Sequence, residues 1–458
     1  MFMYRLLLVI FFIPSLFFSQ DISRKLDQAV KELLRSDAAF AASISFYVSD
    51  EQGNMIFDYQ GNKGFSSAST QKIFTAAAAL QTLGKEYRYI TKASYSGEIS
   101  KGQLSGNLFI TSNGDPTLGS WRYDGWKPED FKNKFIAAMK TSGIKEISGN
   151  LILDDSYFDF QTVPGGWPWD DMGNYYGAGV WSINWRENQF DMKMKGNSIQ
   201  GFNINMDEVK WINEVKTGGN SDQSLIFTAP YSQVAYINGT LPSRNITVSG
   251  AMPNPPYQLG TELMDWLKEA GIKIHGKAIT TSQLKIEGQK TLQMPENNVF
   301  FTYQSPTLDK IVYWFLKKSV NLYGETFIKT MAKEKKGTGS FDVGVAYLKE
   351  FWKGKGIHPS MINFADGSGL SPQNYVSAKA EVQALLWSKK QPWFNSFFTG
   401  FPEYNGMKMK SGTIKNTKSF AGYHTSSLGK PYVFAVIIHN YQGAKVSEAL
   451  YQLLNHLK

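Results

Sequence analysis

The chain has 458 residues, with 48 Lys and Arg against 39 Asp and Glu, 14% aromatics and no cysteine. That length can bury a core divided over two or three domains, and 42% hydrophobic residues exclude a disordered chain. The missing cysteine excludes thiol catalysis, disulfides and lipoprotein acylation; five histidines with no pair at ligand spacing argue against a zinc enzyme.

In chain order, Arg5 precedes an apolar run from Leu6 to Phe18 that ends at Ser19 and Gln20. A basic start, an apolar stretch too short for a membrane span and a small residue predict a secretory signal over 1–19. The protein is therefore expected to be exported, periplasmic or extracellular in a bacterial envelope, with peripheral membrane association left open. A diffuse net charge of +9 suits an anionic envelope polymer, and no nucleic-acid module is present.

Ile22 to Leu34 repeats Leu26, Val30, Leu33 and Leu34 at helical spacing. Ala41–Val48 and Met55–Tyr59 read as strands joined by the Asp50–Asn54 turn. A small-residue loop then enters an Ala-rich helix that stops at Gly84, with Ser69 and Lys72 at or just inside its start. Residues three apart share a helical face, so Lys72 Nζ can reach Ser69 Oγ. A lysine of lowered pKa can deprotonate a serine. The helix N-terminus disfavours charge on Lys72 and offers N–H groups to an oxyanion. Alone, Ser-x-x-Lys is more often coincidence than a catalytic pair.

Between Tyr89 and Val299 short strands alternate with Gly, Asn and Pro turns, and helices appear at Pro128–Ser142 and Thr261–Ala270. Gly271–Lys277 mimics a phosphate loop, but Ala278 replaces the magnesium-binding hydroxyl, so a turn is expected. Helices return at Leu308–Met331, Gly344–Gly354 and Ala378–Ser388. A strand at Lys415–His424, a second at Tyr432–His439 and a helix at Val446–Leu457 close the chain. Head and tail share one texture. The expected architecture is α/β (α+β), a discontinuous domain of residues 20–88 and 299–458 interrupted by a mostly β insertion at 89–298 of one or two small domains.

Two more short motifs lie in the tail. Ser319-Val-Asn321 sits inside the long helical pattern, where residues two apart share a face only near an end or bend. Lys410-Ser411-Gly412-Thr413 precedes the strand from Lys415; its cation and hydroxyls suit a carboxylate, and its Gly permits close approach. Each alone reads more simply as a solvated face or a basic turn. Together, Ser-x-x-Lys, Ser-x-Asn and Lys-[Ser/Thr]-Gly in this order match the pattern of β-lactamases and penicillin-binding proteins. The second lies far after the first, leaving room for an insertion of roughly two hundred residues, more than a typical domain needs.

The chain resembles the class C low-molecular-mass penicillin-binding proteins, the D-Ala-D-Ala carboxypeptidase/endopeptidase family. Further landmarks are Gly114–Leu118, Gly149–Asp155, Gly166–Asp171, Asp366–Ser371 with Asn374, and Ala421–Tyr423. Ser411 stands where Thr is commoner, and Tyr176–Trp181 departs from the expected Ala-Pro stretch. The resemblance implies a serine β-lactamase/transpeptidase-like catalytic domain. It assigns Ser69 as nucleophile, Lys72 as base, Ser319 as proton relay, and Asn321 as the residue that orients Lys72 and the substrate amide. Lys410 supplies positive potential, Ser411, Gly412 and Thr413 bind the terminal carboxylate and line the oxyanion hole, and Asp171 meets a substrate amine. It implies peptidoglycan stem peptides as substrate, β-lactam antibiotics as covalent inhibitors, and neither metal nor organic cofactor. The rivals are a serine β-lactamase and a non-catalytic wall-binding protein on the same fold.

Overall fold

The computed structural model describes residues 13–458; the expected signal segment up to residue 12 lies outside the described residues. The chain divides into two compact units. The first comprises residues up to 78, 313–319 and 348–458; the second comprises 79–312 and 320–347.

The first unit is built on a six-stranded antiparallel sheet. Its strands are β1 (Ser43–Ser49), β2 (Met55–Tyr59), β3 (Glu403–Tyr404), β4 (Met407–Ile414), β5 (Thr417–Thr425) and β6 (Pro431–His439), in the order β2-β1-β6-β5-β4-β3. Head and tail meet where β1 pairs with β6, Phe46 opposite Val436. The run Tyr432–Ile438 is buried throughout, as a central strand covered on both faces requires. On one face Phe46, Val48, Phe434 and Val436 pack with Leu26 and Val30 of α1 (Ile13–Leu34) and with Leu450 and Leu454 of a C-terminal helix, Val446–Leu454. Elsewhere the Ala378–Lys389 helix is fastened to the sheet. Its Ala378 N–H donates to Ser45 Oγ at 3.1 Å, and Leu385 O accepts from Tyr423 OH at 2.8 Å.

In the second unit the strand 299–304 lies antiparallel to 90–95, which is antiparallel to 108–112; 151–154 and 278–280 continue parallel. Helices Pro128–Thr141 and Pro255–Glu269 cover this sheet around Phe131, Phe135, Trp185 and Trp266. Pro255 and Pro256 start the second helix before the expected Thr261, since proline's missing N–H is unused there. Two three-stranded sheets enclose a separate core of Phe190, Met192, Ile226 and Ile237. Residues 271–277 form a turn and the short strand Lys273–Ile274. Among the described residues no helix is long and apolar enough to cross a membrane.

Candidate active site

Ser69 sits in a single 3-10 turn, Ala68–Gln71, and α2 (Lys72–Leu83) begins only at Lys72. Ala68 is held at φ 51°, a left-handed conformation that costs a non-glycine residue about 1–3 kcal/mol. Its surroundings keep it there. Ser67 O accepts from Ser419 Oγ at 2.6 Å and from Thr70 Oγ1 at 2.9 Å, and those two hydroxyls are 3.0 Å apart. The strained turn exposes part of Ser69 while Lys72 is fully buried. Lys72 Nζ donates to Ser69 Oγ at 3.0 Å and to Ser368 O at 2.7 Å, and lies 5.6 Å from the centre of the Phe315 ring. The expected serine–lysine contact is therefore made, across the junction between the 3-10 turn and the helix.

The Ser368 carbonyl is placed by the loop that begins at Asp366. The buried Asp366 carboxylate accepts from Gly369 N (2.7 Å), Ser371 N (2.6 Å), Asn374 Nδ2 (2.9 Å) and Gln71 Nε2 (3.1 Å). Thr75 Oγ1 donates to Gly367 O at 2.7 Å. These bonds fasten the loop to α2 and the turn before it, which holds the Ser368 carbonyl in place as an acceptor for Lys72 Nζ.

The Lys410–Thr413 motif does not precede its strand; it lies within β4, which forms a hairpin with β5 through a tight turn. Asn416 (φ 58°) supplies the left-handed turn residue, and residues 415–416 are loop where a strand was expected. Met409 N–H donates to Pro402 O at 3.1 Å, on the side away from β5. Strand alternation turns the N–H groups of Ser411 and Thr413 toward that same side. Gly412 lies against the Ser69 turn: a Cβ there would come within 2.4 Å of Ser67 O and 2.9 Å of Ser69 N. Lys410 is buried, and its Nζ donates to Ser411 O at 2.8 Å. Burial, then the charges of Lys72 and Lys418, hold it well below the usual lysine range. Thr413 Oγ1 accepts from Lys418 Nζ at 2.7 Å.

The expected helix Leu308–Met331 is two helices. α3 (Leu308–Lys317) ends before Ser319, which adopts φ 58°, and a new helix, Asn321–Lys336, begins after the extended Val320. The break resolves the spacing problem of Ser-x-Asn, since the two residues no longer share one helical run. Ser319 belongs to the first unit, just beyond the α3 residue Phe315 that faces Lys72. Asn321 and Asp171 belong to the second. There Asn321 Nδ2 donates to Tyr176 O at 2.8 Å, and the Tyr176 hydroxyl is hydrogen-bonded to the Asp171 carboxyl. Burial raises Asp171 above the ordinary aspartate range, the Tyr176 bond partly opposing it. Burial first, then the carboxylates of Asp171 and Asp170, push the Tyr176 phenol up.

The first unit thus gathers Ser69, Lys72, Lys410, Ser411, Gly412 and Thr413 around one turn. Sequence reasoning gave no role to Thr70, an unspecified position of Ser-x-x-Lys, or to Tyr176, noted only as the start of a departing stretch, and it missed Ser419 and Lys418, whose places follow from the register of β4 with β5. Among the described residues no group of three or more His, Asp or Glu is arranged to hold a metal.

A serine on a strained turn, hydrogen-bonded to a buried lysine and packed against a Lys-Ser-Gly strand, agrees with the family comparison. The model for the D-Ala-D-Ala carboxypeptidase 3 (S13) family matches residues 26–457. The chain belongs to that family. S13 membership makes it a serine-type D-Ala-D-Ala carboxypeptidase, a hydrolase, in agreement with the resemblance seen in its motifs. It is 25% identical over 425 residues to the D-alanyl-D-alanine carboxypeptidase DacB of Haemophilus influenzae, covering 85% of this chain and 84% of the relative. It is 24% identical over 451 residues to the D-alanyl-D-alanine carboxypeptidase of an Actinomadura species, covering 90% and 80%. The solved structure of penicillin binding protein 4 from Haemophilus influenzae matches with a TM-score of 0.77 at 22% identity, covering 95% of this chain and 97% of that one, and shows the shared S13 fold. The same Haemophilus protein has been solved in complex with a β-lactam; that structure matches with a TM-score of 0.71 at 21% identity and covers 95% and 97%.

Proposed function

We propose that Ser69 and Lys72 carry out the S13 reaction in this chain as an acyl transfer through a serine ester. The observation that carries this reading is the 3.0 Å bond from the buried Lys72 Nζ to Ser69 Oγ. In the reactive state Lys72 is the free amine. It takes the Ser69 proton as Oγ attacks the carbonyl between two terminal D-alanines. Coulomb repulsion between Lys72 and Lys410 is mutual, so the site disfavours holding both as ammonium groups.

The oxyanion of the tetrahedral intermediate lies between the N–H groups of Ser69 and Thr413, the latter turned away from β5 by strand alternation. Gly412 permits that approach. Ser319 relays a proton to the departing D-alanine amine, and Asn321 orients the substrate amide. Ser411 and Thr413 hydroxyls bind the terminal carboxylate in the positive field of Lys410. Water then releases the acyl group and restores Ser69. Replacing free D-alanine by the cross-link amine as leaving group makes the same steps a DD-endopeptidase reaction. Residues 20–88 and 299–458 form the catalytic domain in this reading, and 89–298 an insertion. The substrates are peptidoglycan stem peptides, which fits an enzyme of the bacterial envelope, periplasmic or extracellular. A β-lactam acylates Ser69 because its ring amide copies the D-Ala-D-Ala amide.

Incubation with a fluorescent penicillin tests this. The wild type is expected to form a stable adduct that Ser69→Ala lacks, and to release D-alanine from a stem peptide. Rapid lactam hydrolysis without an adduct would instead make it a β-lactamase; neither adduct nor turnover would retire the acyl-serine mechanism.

A further inference from the structure

We propose that Lys418 is a further substrate-binding residue, supplying the cation that meets the C-terminal carboxylate of a D-Ala-D-Ala ligand. The proposal rests on the acyl-serine reading and deepens it by naming the group that selects for a free acid.

Lys418 lies on β5 directly opposite Thr413 of β4. Paired residues of an antiparallel ladder project on the same face, so Lys418 and Phe420 share a face with Thr413 and Ser411. The Lys418 stem brings Nζ within 5.1 Å of the centre of the Phe420 ring, and the ammonium donates to Thr413 Oγ1 at 2.7 Å. That bond fixes the direction of the threonine proton. A hydroxyl accepting from an ammonium has its own hydrogen to give elsewhere, and Thr413 is exposed on the open side of the strand. The result is a polarised donor beside a cation, two residues from a second hydroxyl at Ser411.

The charge around this point is one-sided. Lys418 has no carboxylate partner among the described residues, although it is half-buried and burial lowers its pKa. Lys410 meets the charges of Lys72 and Lys418, both of its own sign, and its Nζ donates to the Ser411 carbonyl. A half-buried ammonium without a carboxylate beside it lacks the compensation that an incoming carboxylate supplies. A planar carboxylate can take one bond from the ammonium and others from the Thr413 and Ser411 hydroxyls. The ligand class that fits is a peptide or lactam with a free carboxylate close to the scissile amide.

The test compares ligands that differ only at this group. Lys418→Met keeps the apolar stem over Phe420 and removes the charge; Lys418→Arg keeps the charge. For a D-Ala-D-Ala peptide and its C-terminal amide, kcat/KM is measured on wild type and both variants. Acylation of Ser69 by penicillin and by its methyl ester gives a second matched pair. The preference of wild type for the free acid is expected to fall about tenfold in Lys418→Met and to persist in Lys418→Arg. Equal losses on acid and neutral ligands would mean a structural role and would overturn the assignment. So would an unchanged preference in a Lys418→Met enzyme that still acylates. Those results leave Ser69 chemistry standing, whereas a wild type that forms no adduct would bring down the underlying reading as well.

Discussion

A Cβ built on Gly412 would lie 2.4 Å from Ser67 O and 2.9 Å from Ser69 N, so β4 and the Ser69 turn touch through their backbones. Neither atom can rotate away as a side chain can. Gly412→Ala is expected to push the Thr413 N–H and Ser69 apart by a fraction of an ångström. The rate constant for penicillin acylation should fall about tenfold, since a misplacement of ~1 Å is enough for a hundredfold loss. The thermal midpoint should move much less, because a strand near the sheet edge yields more readily than an oxyanion hole. Acylation within threefold of wild type would show that the close approach has no catalytic role.

Ser319 separates conformation from chemistry. Its φ of 58° favours glycine, so Ser319→Gly relieves backbone strain of roughly 1 kcal/mol while removing the hydroxyl. Offsetting this, glycine gains entropy in the unfolded chain. The variant is expected to unfold within a few degrees of wild type yet lose about two orders of magnitude in kcat for D-alanine release. Ser319→Ala should lose similar activity and some stability besides. Full turnover by either variant would remove Ser319 from the proton path.

Glu381 gives the stability a pH dependence of unusual sign. Its carboxyl is fully buried in the first turn of the 378–389 helix, and neither oxygen has a hydrogen-bond partner of ordinary geometry. Burial raises it to about 8, an effect that the Thr70 hydroxyl only partly opposes. The native state therefore keeps this proton up to about pH 8, whereas the unfolded chain loses it near 4.5. Between those values the native state binds more protons, so this group's contribution to stability falls as pH rises. Glu381→Gln should flatten that slope and raise the thermal midpoint most at pH 8 and above. Parallel melting profiles from pH 4.5 to 9 would refute the assignment.

What the sequence made legible was whatever chemistry carries in short spacings. Ser69 and Lys72 are three apart, a separation that fixes their contact in either a 3-10 turn or a helix, so the pair was readable although the helix starts one turn later than expected. Lys410–Thr413 was readable as an anion motif, but its strand was not. Lys415 and Asn416 make a turn without Gly or Pro, and only Asn416's tolerance of a left-handed φ marks it. The interruption at Ser319 was hidden for the same reason: neither glycine nor proline interrupts 317–321, and apolar periodicity runs on through Leu322. Lys418 was illegible because its role arises from strand register, which no local spacing encodes.

Asp171 and Tyr176 test the second unit's share in substrate choice. The Asp171 carboxylate is proposed to meet the free amine of the stem-peptide side chain. Asp171→Asn should therefore lower kcat/KM about tenfold for a peptide with that amine and leave its N-acetylated form unchanged. Penicillin, which has no such amine, should acylate both enzymes alike. The pH dependence gives an independent check. Burial raises Asp171 above the ordinary aspartate range, and the hydrogen bond from Tyr176 opposes the rise by stabilising the carboxylate. As pH falls through this raised value the carboxylate is lost, so the preference for the free amine should disappear on the acid side. Tyr176→Phe removes the opposing bond, which moves that acid limb to higher pH; Asp171→Asn abolishes the limb. Profiles of the amine-over-acetyl preference from pH 3.5 to 7 for the three proteins decide the matter. An acid limb that survives in Asp171→Asn would assign the amine to another group.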